Sequence, residues 1–576
     1  MGNSKLSENA IKIAKNRYFI NGETWQDLSR RVGGIVAATE TIKKQFYEDR
    51  FAEMIYNLDF LPGGRILRNA GRPRGSMFNC YVLPIGDSRE EIGQYYKDSL
   101  ILWGEGGGVG VNISSLRPHG AEIKGVGGSS SGPVSFLIAG DAIAETVESG
   151  GSRRAAALAL MHVEHPDILR FINAKMVDGK LPHFNISVAV SEAFLEAVES
   201  HASWEFRFAQ KPFGTIDSRE IWDTIMANMV AHAEPGLLNW DKLSKNNSYY
   251  YDPIVGCNPC GEAILEPYGV CDLGSLVLPN FITGTVNTNW KKLEETIRLA
   301  VRFLDNVIEV NKYVLKEIDI KAHNSRRIGI GMMGMAEYLF AKGLRYGSPR
   351  SIVEIERLMR FIRDAVYTAT IELADEKGAF PKFDPVAYGK ASFIRKLPAQ
   401  LRMDIKNRGV RNVTSMAIAP TGTISLLADV TSGIEPLPFK AYMRNDRVGE
   451  RMYVHPIYKK SIELSQAIPE WFVDTKDLTP AEHFEVQSVI QKYVDGAVSK
   501  TINMPKGTTP DQLSNLMLEY IHDLKGVTVY VDGSKDGQIL NSVSEDEVRA
   551  YLVSNGIIET GIDESTTRCT TGKCEL

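Results

Sequence analysis

The sequence predicts an α/β fold built mostly from parallel strands. Short apolar runs with strand character alternate with amphipathic helical stretches from about residue 75 to residue 540. The strand candidates are 77–83, 109–113, 185–190, 415–419 and 527–531, and the clearest helices are 289–315 and 351–377. At 576 residues the chain is long enough for several ordinary domains or for one unusually large α/β barrel.

Two end segments differ from this α/β pattern. Residues 1–58 predict a helical N-terminal segment, because apolar side chains repeat there at helical spacing (Leu28, Val32, Ile35, Val36). Residues 556–576 are mostly small and polar and have no periodicity, which predicts a flexible C-terminal tail. The α/β domain is therefore expected over residues 59–555.

Composition excludes several classes of function. The chain has 66 basic and 71 acidic residues, a net charge of −5, whereas proteins that bind duplex nucleic acid usually have a basic excess. No uncharged apolar run approaches 18 residues, and the N-terminus lacks the apolar core of a secretory signal. We expect a cytoplasmic protein that binds neither nucleic acid nor a membrane.

Six cysteines are too few for a disulfide scaffold, so they are expected to be thiols. They are Cys80, Cys257, Cys260, Cys271, Cys569 and Cys574. Zinc is a competing interpretation of the pair Cys257 and Cys260, but a structural zinc site needs four ligands, usually as two close pairs. The other close pair lies in the C-terminal tail, so we expect no directly ligated metal.

The run Asn258-Pro-Cys-Gly-Glu262, with Cys271 eleven residues after Cys260, is the most informative local pattern. Within a tight loop, a thiol, an amide and a carboxylate could surround one small substrate. The thiol can exchange a hydrogen atom or a proton, the carboxylate can act as a general base, and the amide can orient a hydroxyl.

Residues 420–425 predict a phosphate-binding loop after a strand. The residues are Pro420, Thr421, Gly422, Thr423, Ile424 and Ser425. Gly422 permits close backbone approach, and backbone N–H groups and hydroxyls can bind phosphate oxygens. The Gly-Lys-Ser/Thr ending of a Walker sequence is missing, and a plain strand-to-helix turn is the alternative interpretation.

Ten segments in order resemble the large catalytic subunit of ribonucleotide reductases, most closely the adenosylcobalamin-dependent group called class II. They are FLPGGRILRNAG (60–71), SMFNCYVLP (76–84), GEGGGVGVNISSLRPHGA (104–121), SGGSRRAAALAL (149–160), HPDI (165–168), FNISVAVSEAF (184–194), EPGLLNWDKL (234–243), NPCGEAILEPYGVCDLGS (258–275), RRIGIGMMG (326–334) and APTGTISLLADVTSGIEP (419–436). The resemblance implies a ten-stranded α/β barrel with a central finger loop that carries a radical cysteine.

The resemblance also implies roles for the residues singled out above. Cys260 would form the thiyl radical that abstracts the 3′ hydrogen of a ribonucleotide, Glu262 would take the 3′-hydroxyl proton, and Asn258 would hold the ribose. Cys80 and Cys271 would be the reducing dithiol, and Cys569 with Cys574 would re-reduce it by thiol–disulfide exchange. Asn79, Gly107 and Gly108 match positions near the ribose and base. The external reductant would be thioredoxin-like or glutaredoxin-like.

Regulation by a deoxynucleoside triphosphate is a further implication. Asp87, Arg117 and the loop 125–132 match the family's effector site, and Arg153 or Arg154 would reach the substrate base. That site usually lies between subunits, so a homodimer is expected. The barrel segments begin near residue 60, which leaves no room for an ATP cone, and no inhibition by dATP through such a domain is expected.

The source of the radical has two interpretations. Partner-dependent reductases pass the radical through two adjacent tyrosines, and here Tyr530 is followed by Val531. This favours adenosylcobalamin, while the alternative is a class I type subunit that needs a separate metal-radical subunit. A nucleotide-binding thiol–disulfide oxidoreductase is a remote alternative. Diphosphate and triphosphate substrates both remain open.

Overall fold

A computed structural model describes residues 5–123, 127–149, 153–176, 180–284, 286–446, 449–534 and 540–555. The helices are Glu8–Arg17, Trp25–Val36, Lys44–Tyr56, Gly64–Asn69, Arg89–Gly104, Pro133–Glu145, Ile168–Ile172, Glu192–Glu199, Ser218–His232, Trp240–Lys245, Trp290–Val310, Lys316–Ser325, Met335–Ala341, Pro349–Lys377, Pro385–Lys390, Ser392–Arg395, Ala399–Arg408, Pro456–Glu463, Pro480–Gln491, Pro510–Tyr520 and Glu545–Ser554. Strands outside the two main sheets are Glu148–Ser149, Arg153–Arg154, Ser203–Phe208, Lys211–Asp217, Gly256–Cys257, Ile264–Leu265, Ile282–Thr283, Asn287–Thr288, Ala441–Asp446, Gly449–Val454 and Leu540–Ser542.

The N-terminal segment is helical, as predicted. The second helix begins with a capping box, in which the Thr24 side chain accepts from Asp27 N and the Asp27 side chain accepts from Thr24 N. On its apolar stripe, Trp25, Leu28, Val32 and Val36 are fully buried and Ile35 is partly buried. None of the described helices is both long enough and apolar enough to cross a membrane.

The long helices predicted from periodicity are also present. Trp290–Val310 begins after the Asn289 cap, whose side chain accepts from Lys292 N. Pro349–Lys377 begins with proline in its first turn and ends before Gly378. The two helices pack against each other outside the strands, so their buried faces cover the barrel.

The first half of the barrel contains five neighbouring parallel strands. In spatial order they are Cys80–Leu83, Gly108–Asn112, Ala156–His162, Phe184–Val190 and Gly236–Asn239. The predicted strands 77–83, 109–113 and 185–190 belong to this half. These five strands are neighbours in the sheet in the same order as in the chain. A helical crossover after each strand returns the chain to the end of the sheet where the strands begin, so each new strand runs parallel to the one before it.

The second half also contains five segments in parallel order. Leu273–Val277 pairs with Gly329–Met333, which bridges from Ile330 to Met416. Ile418 then bridges to Val498, and Thr501–Met504 pairs with Gly526–Val531. The predicted strand 415–419 therefore contributes by isolated bridges rather than by a continuous ladder.

Antiparallel contacts join the two halves on both sides. Gly236–Asn239 pairs with Gly526–Val531 on one side. On the other side, Cys271 N donates to Cys80 O at 3.0 Å and Val82 N donates to Gly269 O at 3.1 Å. The ten segments can thus be followed around a ring, in agreement with the predicted barrel. Because the halves run in opposite directions, the starts of the first-half strands lie beside the ends of the second-half strands.

Candidate active site

A hairpin formed by Gly256–Cys257 and Ile264–Leu265 carries Cys260 at its tip. Gly261 N donates to Asn258 O at 2.9 Å and closes the turn. Gly261 has φ of +79°, a left-handed conformation that glycine adopts at little cost. The glycine after the cysteine is therefore required by the turn that presents the thiol.

The hairpin lies inside the barrel, as predicted for a finger loop. Ala497 N, from a barrel segment, donates to Glu262 O at 2.9 Å. On the opposite wall, a Cβ built on Gly110 would lie 1.8 Å from Cys257 O. Glycine at this strand position leaves space for the backbone of the loop.

The barrel brings Cys80 and Cys271 together although 191 residues separate them in the sequence. Cys80 is the first residue of its strand and accepts from Cys271 N at 3.0 Å through its carbonyl. A Cβ on Gly108 would lie 3.2 Å from Cys80 Sγ. All four cysteines of the described residues are thiols, and Cys260 is exposed while Cys271 is buried. Burial and the neighbouring Cys80 raise the pKa of the Cys271 thiol.

Cys257 is a fully buried thiol at the base of the hairpin. It packs with apolar side chains of two barrel strands, including Leu158 and Leu238. Burial, followed by the charge of Glu262, raises its pKa to about 12. Within the described ranges no group of three or more His, Cys, Asp and Glu side chains could hold a metal ion. Cys257 therefore belongs to the packing of the loop.

Glu262 and Asn258 form the polar part of the tip. Asn258 Nδ2 donates to Glu262 Oε1 at 2.8 Å, and Asn258 Oδ1 accepts from Ala263 N at 2.9 Å. Glu262 Oε2 is buried and has no hydrogen-bond partner among the described residues. Burial, followed by the charge of Cys80, raises the Glu262 pKa to about 8. A carboxylate with Oε2 available to a ligand fits the predicted role of Glu262 as a general base.

The loop 420–425 follows the second-half segment that contains Ile418. Gly422 is exposed, and a Cβ there would meet nothing within 4 Å. Thr421 is buried, and its hydroxyl accepts from Gly433 N at 2.9 Å. The Thr421 side chain therefore stabilises the loop, and the exposed backbone at Gly422 is the part that a phosphate can reach. Residues 422–429 form successive turns, not a regular helix.

Asn79 and Gly107 precede Cys80 and Gly108, which are paired with each other in the parallel sheet. Asn79 O accepts from Gly108 N at 2.9 Å. A Cβ on Gly107 would lie 2.6 Å from the Tyr81 ring. These two positions shape the wall next to the cysteines, because the aromatic ring and the neighbouring backbone occupy the space that a larger residue would need.

A cleft of about 1140 Å³ extends from the phosphate loop. Gly422, Ser425 and Tyr530 line it on the barrel side. On the other side it is lined by Tyr442 and Tyr453, whose rings stack at 5.1 Å with an interplanar angle of 11°. The two tyrosines are eleven residues apart in the sequence, and their stacking depends on the antiparallel register of Ala441–Asp446 with Gly449–Val454, which no local pattern predicted.

Comparison with protein families identifies the fold. The family model described as "Ribonucleotide reductase, barrel domain" matches residues 78–530, and "Ribonucleotide reductase, all-alpha domain" matches residues 4–75. The chain belongs to the ribonucleotide reductase family. The finger loop and the loop 420–425 therefore lie within the segment that matches the ribonucleotide reductase barrel.

Three relatives show how far the similarity extends. The chain is 35% identical over 586 residues to the vitamin B12-dependent ribonucleoside-diphosphate reductase of Mycobacterium tuberculosis (strain CDC 1551), covering 94% of this chain and 81% of the relative. It is 32% identical to the protein of the same name from Thermoplasma acidophilum, covering 92% and 72%. The vitamin B12-dependent ribonucleotide reductase of Streptomyces clavuligerus is 25% identical, covering 94% and 67%.

The residues expected at the reductase effector site are only partly described. Arg117 Nε donates to Asp87 Oδ2 at 2.8 Å, and Arg117 N donates to Asp87 Oδ1 at 3.0 Å. The backbones of Arg153 and Arg154 form a short strand paired with Glu148–Ser149. Their side chains lie outside the described parts, as do residues 124–126 of the effector loop.

The predicted redox cysteines of the tail, Cys569 and Cys574, lie outside the described residues. The last described helix, Glu545–Ser554, ends shortly before this tail. Tyr551 and Leu552 of that helix line the large cleft. Helix Glu545–Ser554 therefore ends at the margin of the cleft.

Proposed function

We propose that this ribonucleotide reductase forms 2′-deoxyribonucleotides through a thiyl radical at Cys260, with adenosylcobalamin as the radical source. The observation that carries the proposal is the position of the finger loop, whose tip lies inside the barrel beside Cys80 and Cys271. The same tip carries the Asn258 and Glu262 side chains. This arrangement supplies a hydrogen-abstracting thiol, a base and a dithiol at one place.

The first step uses the tip residues. The Cys260 thiyl radical takes the hydrogen atom from C3′ and becomes a thiol, which leaves the unpaired electron on the ribose carbon. Glu262 as carboxylate accepts the 3′-hydroxyl proton, which weakens the C3′–H bond. Asn258 positions Glu262 through the 2.8 Å hydrogen bond. The pKa of about 8 means that Glu262 must lose a proton before it acts.

The second step uses the dithiol. The C2′–O bond breaks, and the hydroxyl leaves as water with a proton from a thiol. Cys80 and Cys271 supply two electrons as they join in a disulfide, and the proton of the second thiol goes to C2′, where the new C2′–H bond forms. Glu262 returns its proton to the 3′ oxygen, and Cys260 returns its hydrogen atom to C3′ and becomes a thiyl radical again. The 3.0 Å backbone contact between Cys80 and Cys271 supports this pairing, because it places adjacent strands at disulfide-forming separation.

The large cleft fits a corrinoid cofactor. Pockets for drug-sized ligands have volumes of roughly 300–1,000 Å³, and this cleft of about 1140 Å³ is larger. Tyr442 and Tyr453 supply aromatic surface, and Lys459 and Lys476 supply positive charge for a phosphate group. When bound, adenosylcobalamin supplies an unpaired electron through homolysis of its cobalt–carbon bond. The names of the relatives from Mycobacterium tuberculosis and Thermoplasma acidophilum support this cofactor.

A metal-radical partner subunit is the alternative radical source. Tyr530 lines the cleft, and the side chain of Val531 is buried on the opposite face of the strand. A relay of two adjacent tyrosines is therefore interrupted, since valine is not oxidised at accessible potentials. Direct radical formation beside the barrel needs no such relay.

The substrate is proposed to be a ribonucleoside diphosphate. The exposed backbone of Gly422, with Thr423 and Ser425 in the same loop, would bind its phosphates. The names of the relatives from Mycobacterium tuberculosis and Thermoplasma acidophilum specify a diphosphate substrate, which favours the diphosphate over the triphosphate.

The C-terminal tail would re-reduce the active-site disulfide and be reduced by a thioredoxin-like or glutaredoxin-like protein. Fourteen residues lead from Asn555 to Cys569, and they can span up to about 50 Å when extended. Because Tyr551 and Leu552 line the cleft, this length is sufficient for the tail to enter the barrel.

A homodimer with a deoxynucleoside triphosphate at Asp87 and Arg117 is also proposed. Helix Arg89–Gly104 follows Asp87 and packs against Pro133–Glu145. These helices expose Leu100 (46%) and Ile138 (55%), which are large apolar side chains that a second copy would cover. The effector would then bind beside the interface.

An anaerobic assay tests the proposal. The purified protein is incubated with a ribonucleoside diphosphate, dithiothreitol and a deoxynucleoside triphosphate, with and without adenosylcobalamin. We expect deoxynucleotide only with the cofactor. Product that requires a partner subunit instead, and that is lost in Tyr530→Phe, would establish the alternative radical source.

Two cysteine variants provide a matched pair. Cys260→Ala should abolish product formation, whereas Cys257→Ala should retain it, since Cys257 only packs in the core. Both should fold and bind the effector. Deoxynucleotide formation by Cys260→Ala would refute the radical assignment.

A further inference from the structure

A small cavity of about 30 Å³ lies within the barrel between the finger loop and the starts of the second-half strands. We call it the finger-loop chamber. The acidic and basic side chains at its border are Glu262, Asp272, Arg327, Asp495 and Lys525. A water needs about 10–15 Å³ of such space, so the chamber has room for roughly two waters.

Several polar atoms at the chamber require water. Glu262 Oε2, both carboxyl oxygens of Asp272 and Arg327 Nε are buried without a hydrogen-bond partner among the described residues. Buried polar groups are nearly always hydrogen-bonded to protein or to ordered water. Two waters and three hydrogen bonds of about 2.8 Å can join groups roughly 8 Å apart. Glu262 and Lys525 both border the chamber, so water inside it is in a position to connect them by hydrogen bonds.

Lys525 is the unusual ionisable group at the border of the chamber. It is 3% exposed, and its Nζ donates to two carbonyl oxygens, Asp495 O at 2.7 Å and Gly496 O at 2.8 Å. The Asp495 carboxylate is occupied by other donors, including Ser415 N and Met416 N. A neutral amine has two N–H donors and one lone pair, so these two bonds leave the lone pair for chamber water.

We propose that Lys525 is the buried proton acceptor for Glu262, through water in the finger-loop chamber. The proton leaves the Glu262 carboxyl and reaches the Lys525 amine, which gives a carboxylate and an ammonium with no change in total charge. No isolated charge is then left in the interior, which would be costly. The proposal rests on the proposed role of Glu262 as the base for the 3′-hydroxyl.

The similar pKa values of Lys525 and Glu262 support the proton transfer. Burial lowers the pKa of Lys525 to about 7, although the charge of Asp495 opposes this change. Burial raises the pKa of Glu262 to about 8. The difference, 8 − 7, is about one unit, and one unit corresponds to about 1.4 kcal/mol. Proton exchange between them is therefore accessible during turnover.

The other charged groups nearby have different roles. Cys80 faces Glu262, while Lys242 and Lys396 act on Lys525 and help to lower its pKa. Burial raises the pKa of Asp272 well above its usual value, which favours its protonated form. Arg327 is paired with Glu266, to which its Nη2 donates at 2.8 Å.

The pH dependence of kcat/KM in the cofactor-loaded enzyme tests the proposal. The acidic limb of the profile reports ionisation of Glu262. In Lys525→Met this limb should move to higher pH by about one pH unit. The value of kcat/KM should therefore fall by about tenfold at pH 7 and recover at high pH. Lys377→Met is the matched control, because Lys377 is a partly buried lysine that pairs with Glu40 in the helical layer. Its profile should match that of the unsubstituted protein.

A spectroscopic measurement separates this role from a structural one. The infrared carbonyl band of protonated Glu262, assigned by its absence in Glu262→Gln, should persist to higher pH in Lys525→Met. If Lys525→Met does not fold, Lys525→Gln retains two donors for the carbonyl groups and takes its place. An unchanged acidic limb and band in a folded Lys525 variant would overturn the proposal. Full activity of Glu262→Gln would instead overturn the role of Glu262 itself.

Discussion

Asn258 Nδ2 donates to Glu262 Oε1 at 2.8 Å across the tip of the finger loop. The other atom of the same amide, Oδ1, accepts from Ala263 N at 2.9 Å. One side chain therefore fixes both the carboxylate and the backbone of the turn that presents Cys260. The orientation of the base and the position of the thiol depend on a single amide.

Replacing that amide should damage catalysis more than folding. In Asn258→Ala, Glu262 loses a hydrogen bond that lowers its pKa, so the pKa rises further above about 8. Hydrogen bonds to charged groups contribute about 1.5–3 kcal/mol, so kcat/KM should fall by about tenfold to a hundredfold. Steady-state kinetics at pH 8 checks this, and kinetics equal to those of the unsubstituted protein would show that the contact is dispensable.

The pH dependence should follow the ionisation of Glu262. Because its pKa of about 8 in the folded protein lies above the usual value of 4.5, the folded state binds the proton more tightly between these pH values. Over that window the contribution of Glu262 to the free energy of unfolding falls as pH rises, by about 1.4 kcal/mol per unit. The value of kcat/KM should rise with pH up to about 8. The free energy of unfolding of Glu262→Gln, measured with urea, should lack this pH-dependent contribution.

Glycine at position 110 should be required for activity. A Cβ there would lie 1.8 Å from Cys257 O, which is backbone and cannot rotate away. Gly110→Ala should displace the finger loop, cost about 1–3 kcal/mol of stability and lower kcat by at least about a hundredfold. Gly389→Ala is the control, because a Cβ on this helical glycine meets nothing within 4 Å. An active Gly110→Ala variant would contradict the close packing of Gly110 against the backbone of the finger loop.

The stacked tyrosines of the cleft should contribute to cofactor binding. Tyr442→Ala removes half of the 5.1 Å stack and should weaken binding of cob(III)alamin, followed by its absorbance, by about tenfold, since aromatic contacts contribute about 0.5–1.5 kcal/mol beyond their buried area. Tyr520→Ala removes half of another stack, Phe484 and Tyr520 at 5.0 Å, outside the cleft. It should bind the cofactor normally. Equal cofactor affinities in the two variants would exclude the cleft as the cofactor-binding site.

The ion pair between Asp87 and Arg117 should be needed for effector binding. Asp87→Asn weakens the 2.8 Å contact that holds Arg117 and should reduce deoxynucleoside triphosphate affinity by about tenfold, measured by calorimetry. Activity without effector should be unchanged, because the pair belongs to the proposed effector site and not to the finger loop. Retention of full affinity would place the effector elsewhere.

Local patterns predicted much of the fold. Periodicity predicted the helices Trp290–Val310 and Pro349–Lys377 to within five residues at each end. Alternating strands and helices predicted the parallel architecture, and the strands 185–190 and 527–531 were found almost unchanged. The segment 415–419 was harder to define, because its pairing is limited to bridges at Met416 and Ile418.

The sequence by itself determined the chemistry of the finger loop, because Asn258, Cys260 and Glu262 are close enough in the chain for short-range geometry to bring them together. Only the tertiary structure decided the rest. The pairing of Tyr442 with Tyr453 depends on the antiparallel register of two strands that are near each other in the chain. The contact of Cys80 with Cys271 and the cavity shared by Lys525 and Glu262 depend instead on closure of the ring. Closure joins strands that are hundreds of residues apart, and burial inside the ring, which no local pattern specifies, changes the pKa values of these groups.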